Sequence, residues 1–313
     1  MQRSAAEGYQ QASLSEQNVD GKDFIQTDVC PKAGDVILDL GCGTGELSAY
    51  LAELVGPEGK VIGVDPDKER ILLARKSHKQ VKNLSFVEGS ASILPQTGLG
   101  PFDIIFSSYA LHFMKNKKQV FNNMFNSLKA GGKITISYQD CLPPFEFNAY
   151  MLLNPENGER ICNEMYQCET KTKIEHYCSS AGFQIAKHDK FCASIAFESI
   201  QSLLKWHWSV THGVLDLSLV TEERLQKYLA PYVRENGKPS LDFRGIKEES
   251  PVYRLVAGHD WLVMKLVKRF WLNHNLHGLK RVRAYSQANL DPESSKNLLV
   301  AANIAIDHII KTV

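Results

Sequence analysis

From Val36 onward, five short and almost wholly apolar runs recur, Val36–Leu40, Lys60–Asp65, Leu84–Glu88, Phe102–Phe106 and Lys133–Ser137, and helical patterns lie between them. Runs so uniformly apolar do not suit half-exposed antiparallel strands. They read as parallel strands buried on both faces. Between the first two, Leu47, Tyr50, Leu51, Leu54 and Val55 fall on one helical stripe, which Gly56-Pro57 ends. Asp67–His78 reads as a second helix. A third covers Lys117–Lys129, with Val120, Phe121, Met124, Phe125 and Leu128 on one face before Ala130-Gly131-Gly132 breaks the pattern. Strand and helix alternate, so the expectation is an α/β fold with a doubly wound, mostly parallel sheet.

Beyond Asp140 the pattern weakens. Cys141-Leu-Pro-Pro reads as a loop, 158–181 as helical, and 183–195 as one or two late strands. After Glu198 the chain reads as mainly helical, with Trp206 and Trp208, a helix over Thr221–Tyr232, a break at 236–240, and a last helix opened by Asp291-Pro292. Three parts are expected: an amino-terminal helical segment (1–33) covering the active site, a core (34–197), and a helical carboxy-terminal addition (198–313).

With 43% hydrophobic and 23% charged residues, the chain can bury a sizeable core and gives no sign of disorder. A net charge of +1 provides no general attraction for nucleic acid or anionic membrane. Seven cysteines, at 30, 42, 141, 162, 168, 178 and 192, form no CxxC pair, and their odd number argues for reduced thiols. The start lacks a signal-peptide core, and no later run reaches the roughly 18 apolar residues of a membrane span. A cytoplasmic protein is the expectation.

The stretch that bears most on function is Asp39-Leu-Gly41-Cys42-Gly43-Thr44-Gly45-Glu46, between a buried strand and an amphipathic helix. Glycines at alternating positions let backbone approach a ligand closely; the plainer reading is a tight strand-to-helix turn. The context favours the ligand. The second strand ends in Asp65, where a carboxylate can accept hydrogen bonds from the vicinal hydroxyls of a ribose. A nicotinamide dinucleotide would want GxGxxG, but the glycines here run GxGxG and Glu46 holds the third dinucleotide position.

On these residues, Val36–Glu46 resembles motif I of the class I S-adenosylmethionine-dependent methyltransferases. The order of elements through Ser137 is similar to that family's Rossmann-like core. The resemblance implies S-adenosylmethionine as cofactor. It places Gly41, Cys42, Gly43 and Gly45 along the methionine and ribose, Asp39 near the amino group, Asp65 on the ribose hydroxyls, and Pro66 with Asp67 beside the adenine. Family members often carry Gly-Asp-Ala after the third strand, whereas this chain reads Gly89-Ser90-Ala91. The Ser90 hydroxyl or the Ala91 N–H would then serve the adenine. Ser107, at the end of the fourth strand, is counted on the cofactor side.

The methyl acceptor is expected at the carboxyl ends of the strands, beside Ser107–Phe113. The Asn/Asp-Pro-Pro-Tyr pattern of base-methylating enzymes is absent there, so no nucleic-acid partner is expected. Carboxylates are absent too, and no metal is expected. The Ser-x-x-Leu-His-aromatic string, with Tyr9-Gln10-Gln11 and Gln17, resembles small-molecule carboxyl O-methyltransferases of the juvenile hormone acid and trans-aconitate type. That likeness implies that Gln17 anchors a substrate carboxylate, and that Tyr9, Tyr109, His112 and Phe113 line the pocket. Trp206 joins them as a candidate from the addition; the plainer alternatives are core packing for Trp206, a surface helix for Tyr9 and Gln17, and a satisfied helix-start histidine for His112.

Methyl transfer from a sulfonium chiefly requires alignment and exclusion of water. A carboxylate acceptor arrives ionised, whereas an amine or hydroxyl would want a base, for which His112 is the catalytic candidate. A non-catalytic cofactor-binding protein and a protein or RNA methyltransferase stay open as alternatives. The basic, aromatic stretch 261–283 is expected to be an amphipathic helix packed on the domain.

Overall fold

The computed structural model describes residues 6–10, 17–96, 98–197, 199–231, 234–235, 238–239 and 246–259. The five sequence-assigned strands form β1 (Val36–Leu40), β2 (Lys60–Asp65), β3 (Leu84–Glu88), β4 (Phe102–Ser108) and β5 (Leu128–Tyr138). They pair in parallel in the order β3-β2-β1-β4-β5, with Asp39 opposite Gly63 and Phe106. The strand order reverses beside β1, so the carboxyl ends of β1 and β4 open a crevice.

Helices α1 (Gln17–Phe24), α2 (Glu46–Val55), α3 (Lys68–Ser77) and α4 (Lys117–Asn126) surround this sheet. The Asp67 side chain accepts the N–H groups of Glu69 and Arg70, which fixes where α3 begins. Helix α4 stops three residues before Lys129, because the Ser127 carbonyl accepts the Phe102 N–H and Leu128 enters β5 opposite Phe102. The stretch 158–181 is broken in two. Helices α5 (Pro144–Leu153) and α6 (Pro155–Arg160) lead into a π-helical turn at Ile161–Met165, and α7 (Lys171–Ser180) starts afresh on a Thr170 cap.

One long strand, β6 (Gln184–Phe197), follows, and then α8 (Ile200–Val210), opened by a reciprocal Ser199/Ser202 capping box, and α9 (Glu222–Leu229). The reading of 198–313 as a helical addition needs a correction here. Around the break expected at 236–240, the described residues Arg234–Glu235 pair antiparallel with Lys238–Pro239, and Ile246–Gly258 forms a strand, β7, that returns to the main sheet. It lies antiparallel between β5 and β6, which completes seven strands in the order β3-β2-β1-β4-β5-β7-β6. The charged Lys247-Glu248-Glu249 and Pro251 masked a strand whose burial at Val252, Leu255, Val256 and Ala257 comes from its two neighbours. The basic stretch 261–283 and the helix expected at Asp291 lie outside the described residues.

Each sheet face has its own core. One packs Val120, Phe121 and Met124 of α4 and Ile174 and Cys178 of α7 on Leu38, Ile105, Ile134 and Ile136. The other packs Phe24, Ile25 and Val29 with Leu51, Ala52 and Val55 of α2 on Ile37, Val61, Ile104 and Phe106. A third cluster lies off the sheet, where Phe145, Tyr150, Phe197, Leu203, Trp206 and Tyr228 tie α5, α8 and α9 into a cap. Among the described residues no helix is long and apolar enough to cross a membrane.

Candidate functional site

The glycine loop turns from β1 into α2 with Gly41, Gly43 and Gly45 at φ of +83°, +55° and +91°, a region that side chains rarely adopt. The three answer different needs. A Cβ on Gly41 would come within 2.3 Å of the Ala110 Cβ, and one on Gly45 within 2.5 Å of the Phe86 ring. The Gly43 N–H donates to Asp65 Oδ2 at 3.0 Å, while Asp65 Oδ1 accepts the Asp67 N–H at 2.9 Å. Both carboxylate oxygens are thus oriented by backbone, with lone pairs to spare toward the cavity that Asp65 lines.

A small recess beside the loop is lined by Asn18, Asp39, Gly41, Cys42, Glu46 and Tyr109. Burial, with the nearby charges of Asp65 and Glu46, pushes the Asp39 carboxyl up to about 7 against a 2.6 Å hydrogen bond from Ser48 Oγ. The Asn18 Nδ2 is buried with no hydrogen-bond partner. Two acidic groups and an orphaned amide donor suit a zwitterion with an ammonium and a carboxylate.

Beyond the loop a cavity of about 410 Å³ reaches from Asp65, Pro66, Ser90 and Ala91 to an aromatic chamber formed by His112, Phe113, Tyr166 and Trp206. Tyr9 stands between the cavity and the recess, its ring 3.1 Å from the position of a Gly43 Cβ and stacked beneath the Arg70 guanidinium at 3.9 Å. Beside Pro66 at the cavity wall, His212 Nδ1 lies 3.0 Å from Asp67 Oδ2. Burial alone would raise the Asp67 carboxyl, but hydrogen bonds from His212 and the Arg70 N–H, with the Arg70 charge, hold it well below the usual range.

In the chamber, Glu146 of α5 accepts hydrogen bonds from Tyr166 Oη at 2.6 Å and Tyr150 Oη at 3.1 Å on Oε2, and from Gln139 Nε2 at 3.4 Å on Oε1. Burial raises its carboxyl, and these hydrogen bonds only partly offset the rise. His112 stacks parallel to Tyr166 at 6.0 Å, and its Nδ1 accepts the Gln139 N–H at 3.3 Å. A peptide N–H can only donate, so the ring proton sits on Nε2. Burial and the Lys117 charge push His112 down to about 3.

The sequence matches a methyltransferase-domain family over residues 31–211, more than half of the chain. The chain belongs to this family. S-Adenosylmethionine is the cofactor of such a domain, and the recess, the loop and Asp65 fit its amino-acid and ribose parts. A demethylmenaquinone methyltransferase of Lactobacillus johnsonii is 38% identical over 40% of this chain and 51% of its own length. A ubiquinone/menaquinone biosynthesis C-methyltransferase of Vibrio campbellii is 29% identical over 50% of this chain and 67% of its own. The chain thus spans about half the length of the first of these curated relatives. The crystal structure of the YcgJ protein of Bacillus subtilis superposes with a TM-score of 0.53 at 18% identity, covering 76% of this chain and 96% of that one, and shares the fold.

Most sequence-assigned residues converge on this methyltransferase cavity: Tyr9, Gly41, Asp65, Pro66, Ser90, Ala91, Tyr109, His112, Phe113 and Trp206 line it, and Asp39 and Cys42 line the recess. Others do not. Ser107 is fully buried, its hydroxyl donating to the Leu40 carbonyl at 2.8 Å, and the cavity wall is formed by Ser108 instead. Gly45 packs against Phe86 and lies outside the lining. Gln17 opens α1 but its side chain lies outside the described residues; the next residue, Asn18, faces the recess. His112 is on the wall, but a buried, neutral ring whose Nδ1 is already occupied is a donor at Nε2 and a poor base. Ser90 hydrogen-bonds Ser92 Oγ at 2.7 Å. Glu146, Tyr166 and Gln139 were missed because each lies alone in its stretch of sequence, with no motif around it. Among the described residues no His, Cys, Asp and Glu cluster could hold a metal.

Proposed function

We propose that this methyltransferase carries a methyl group from S-adenosylmethionine to a neutral, hydroxylated aromatic small molecule. The observation that carries the reading is the acceptor chamber: aromatic walls from Phe113, Tyr166 and Trp206 around one buried carboxylate, Glu146, which has no basic partner among the described residues. Flat rings suit such walls. A hydroxyl group can donate to Glu146, whereas the carboxylate acceptor expected from the sequence resemblance would bring a second negative charge beside it. The curated relatives named for quinones support an aromatic acceptor.

Within this reading, Asp39, Glu46 and Asn18 hold the amino-acid end of the cofactor, Asp65 its ribose, and Pro66, Ser90 and Ala91 the adenine side. The cofactor supplies a methyl group already activated on a sulfonium. Phe113, Trp206 and Val210 exclude water, and the His112 Nε2–H donates to an acceptor oxygen. The test is S-adenosylhomocysteine formation by the purified chain with hydroquinones, simple phenols, and aliphatic and aromatic carboxylates, with products assigned by mass spectrometry and NMR. Turnover of hydroxyaromatics is expected; turnover confined to carboxylates overturns the reading.

A further inference from the structure

Glu146 is a feature that cofactor binding leaves unexplained. It projects from α5, a helix whose other buried residues, Phe145, Ala149, Tyr150 and Leu153, join the cap cluster, and it is itself 5% exposed. A carboxylate so enclosed is costly unless it is paired or works through its charge, and a glutamine would meet the same tyrosine hydroxyls without that cost. No arginine or lysine among the described residues bonds to it. Tyr166 and Tyr150 both aim their hydroxyls at Oε2, and those two hydroxyls lie 2.9 Å apart. Oε1 has only the long 3.4 Å contact from Gln139, itself on the cavity wall, so this oxygen keeps capacity for a donor inside the chamber.

We infer that Glu146 is the catalytic base of the transfer, accepting on Oε1 the hydroxyl proton of the methyl acceptor while Tyr166 and Tyr150 hold Oε2. The inference rests on the acceptor class proposed above. When the O–H proton passes to Glu146, the conjugate base attacks the methyl carbon. A new bond to that carbon forms as the carbon–sulfur bond breaks, and its electron pair stays on the sulfur. For attack through oxygen, the Glu146 proton leaves to solvent with product release. For attack through a ring carbon, Glu146 returns its proton to the oxygen as the displaced ring proton leaves to solvent.

The groups facing this carboxyl are Tyr150 on α5, Tyr166 after the π-helical turn, Tyr109 after β4, and the thiols of Cys162 and Cys168. Burial pushes all of these upward, and burial keeps the His112 ring stacked on Tyr166 neutral, so the surroundings change no charge near neutral pH. Burial raises the Glu146 carboxyl and lowers the His112 ring, so the two titrations move apart, and the acid limb of the pH profile is expected to follow Glu146.

The experiment compares Glu146→Gln and Tyr166→Phe with the parent protein on two phenols, one of ordinary acidity and one carrying electron-withdrawing groups that ionise it at the assay pH. Binding of S-adenosylhomocysteine and the melting temperature serve as controls. E146Q is expected to lower kcat/KM on the ordinary phenol by about a hundredfold or more, to lose less than about fivefold on the ionised one, and to abolish the acid limb of the pH profile. Y166F removes the 2.6 Å donor that favours the ionised carboxyl, so it should move that limb to higher pH; this readout remains if E146Q fails to fold. Equal losses on both phenols, or an acid limb unmoved by either variant, overturn the inference while leaving the acceptor class intact. Failure of the parent protein to methylate any phenol overturns both.

Discussion

The end of the cavity proposed for the cofactor is built around the loop and strand ends of residues 39–67, with Asn18, Ser90 and Ala91 beside them, whereas the chamber proposed for the acceptor takes single side chains from four distant places: His112 after β4, Gln139 after β5, Glu146 on α5 and Trp206 on α8. At the first, positive-φ glycines and two N–H groups aim Asp65. At the second, a tyrosine pair and a ring stack orient Glu146 and His112, and each exists only because the cap folds over the sheet edge. A site written in backbone is fixed by the local turn, so one atom in the wrong place ruins it. A site written in side chains depends on how well a separate core packs, and its chemistry can change by single substitutions.

The sharpest way to separate the two ends is to cut into the cap. Trp206 is buried against Phe197 and His207, so Trp206→Ala is expected to cost about 3–5 kcal/mol of stability, read by denaturant unfolding. In the folded fraction it should also weaken acceptor binding far more than S-adenosylhomocysteine binding; equal weakening of both would break the comparison. The converse cut is Gly41→Ala, where a methyl would meet Ala110 at 2.3 Å on a backbone with φ of +83°. Calorimetry should show cofactor affinity falling by about a hundredfold, an effect of roughly 3 kcal/mol in line with the cost of forced backbone strain.

A subtler contrast is in pH. Asp39, raised to about 7, ionises at lower pH in the unfolded chain than in the folded one, so the ligand-free protein loses this contribution to stability as pH rises from about 4 toward 7. An ammonium in the recess favours the ionised form. Cofactor binding should therefore release a proton, and affinity should climb with pH by up to about tenfold per unit below 7, measured by calorimetry in buffers of differing ionisation heat. A flat profile would mean the ammonium sits elsewhere. The smallest effect is expected at the acceptor end: His112→Gln keeps a donor near Nε2 and should lower kcat/KM by less than about tenfold with an unchanged pH profile. A hundredfold loss with a vanished limb would restore His112 as the base.

The strands β1, β2 and β4 were legible because a strand buried on both faces must be apolar along nearly its whole length, which is a local signature, whereas β3, at the sheet edge, buries only Phe86 fully. The glycine loop was legible for a similar reason: Asp39, Gly41, Gly43 and Asp65 answer to a turn and to the end of one neighbouring strand. Reading chemistry from residue type misled at Ser107, whose hydroxyl serves the Leu40 carbonyl, and at His112, whose ring is neutral and already bonded. It was silent on β7, since Lys247-Glu248-Glu249 and Pro251 do not advertise a strand, and on Asn18, one place along from the glutamine singled out.

By itself, the order of residues determined the alternation of strand and helix, the glycine bend after β1 and the carboxylate at the end of β2 that the bend's N–H meets, because these depend on interactions within a few dozen residues. Only the tertiary structure decided that β7 inserts between β5 and β6, that α8 closes the chamber, and that Glu146 and Tyr166 meet 2.6 Å apart. Burial and the partners of a polar group are properties of the space around it, and that space is assembled from segments that know nothing of one another until the chain has folded.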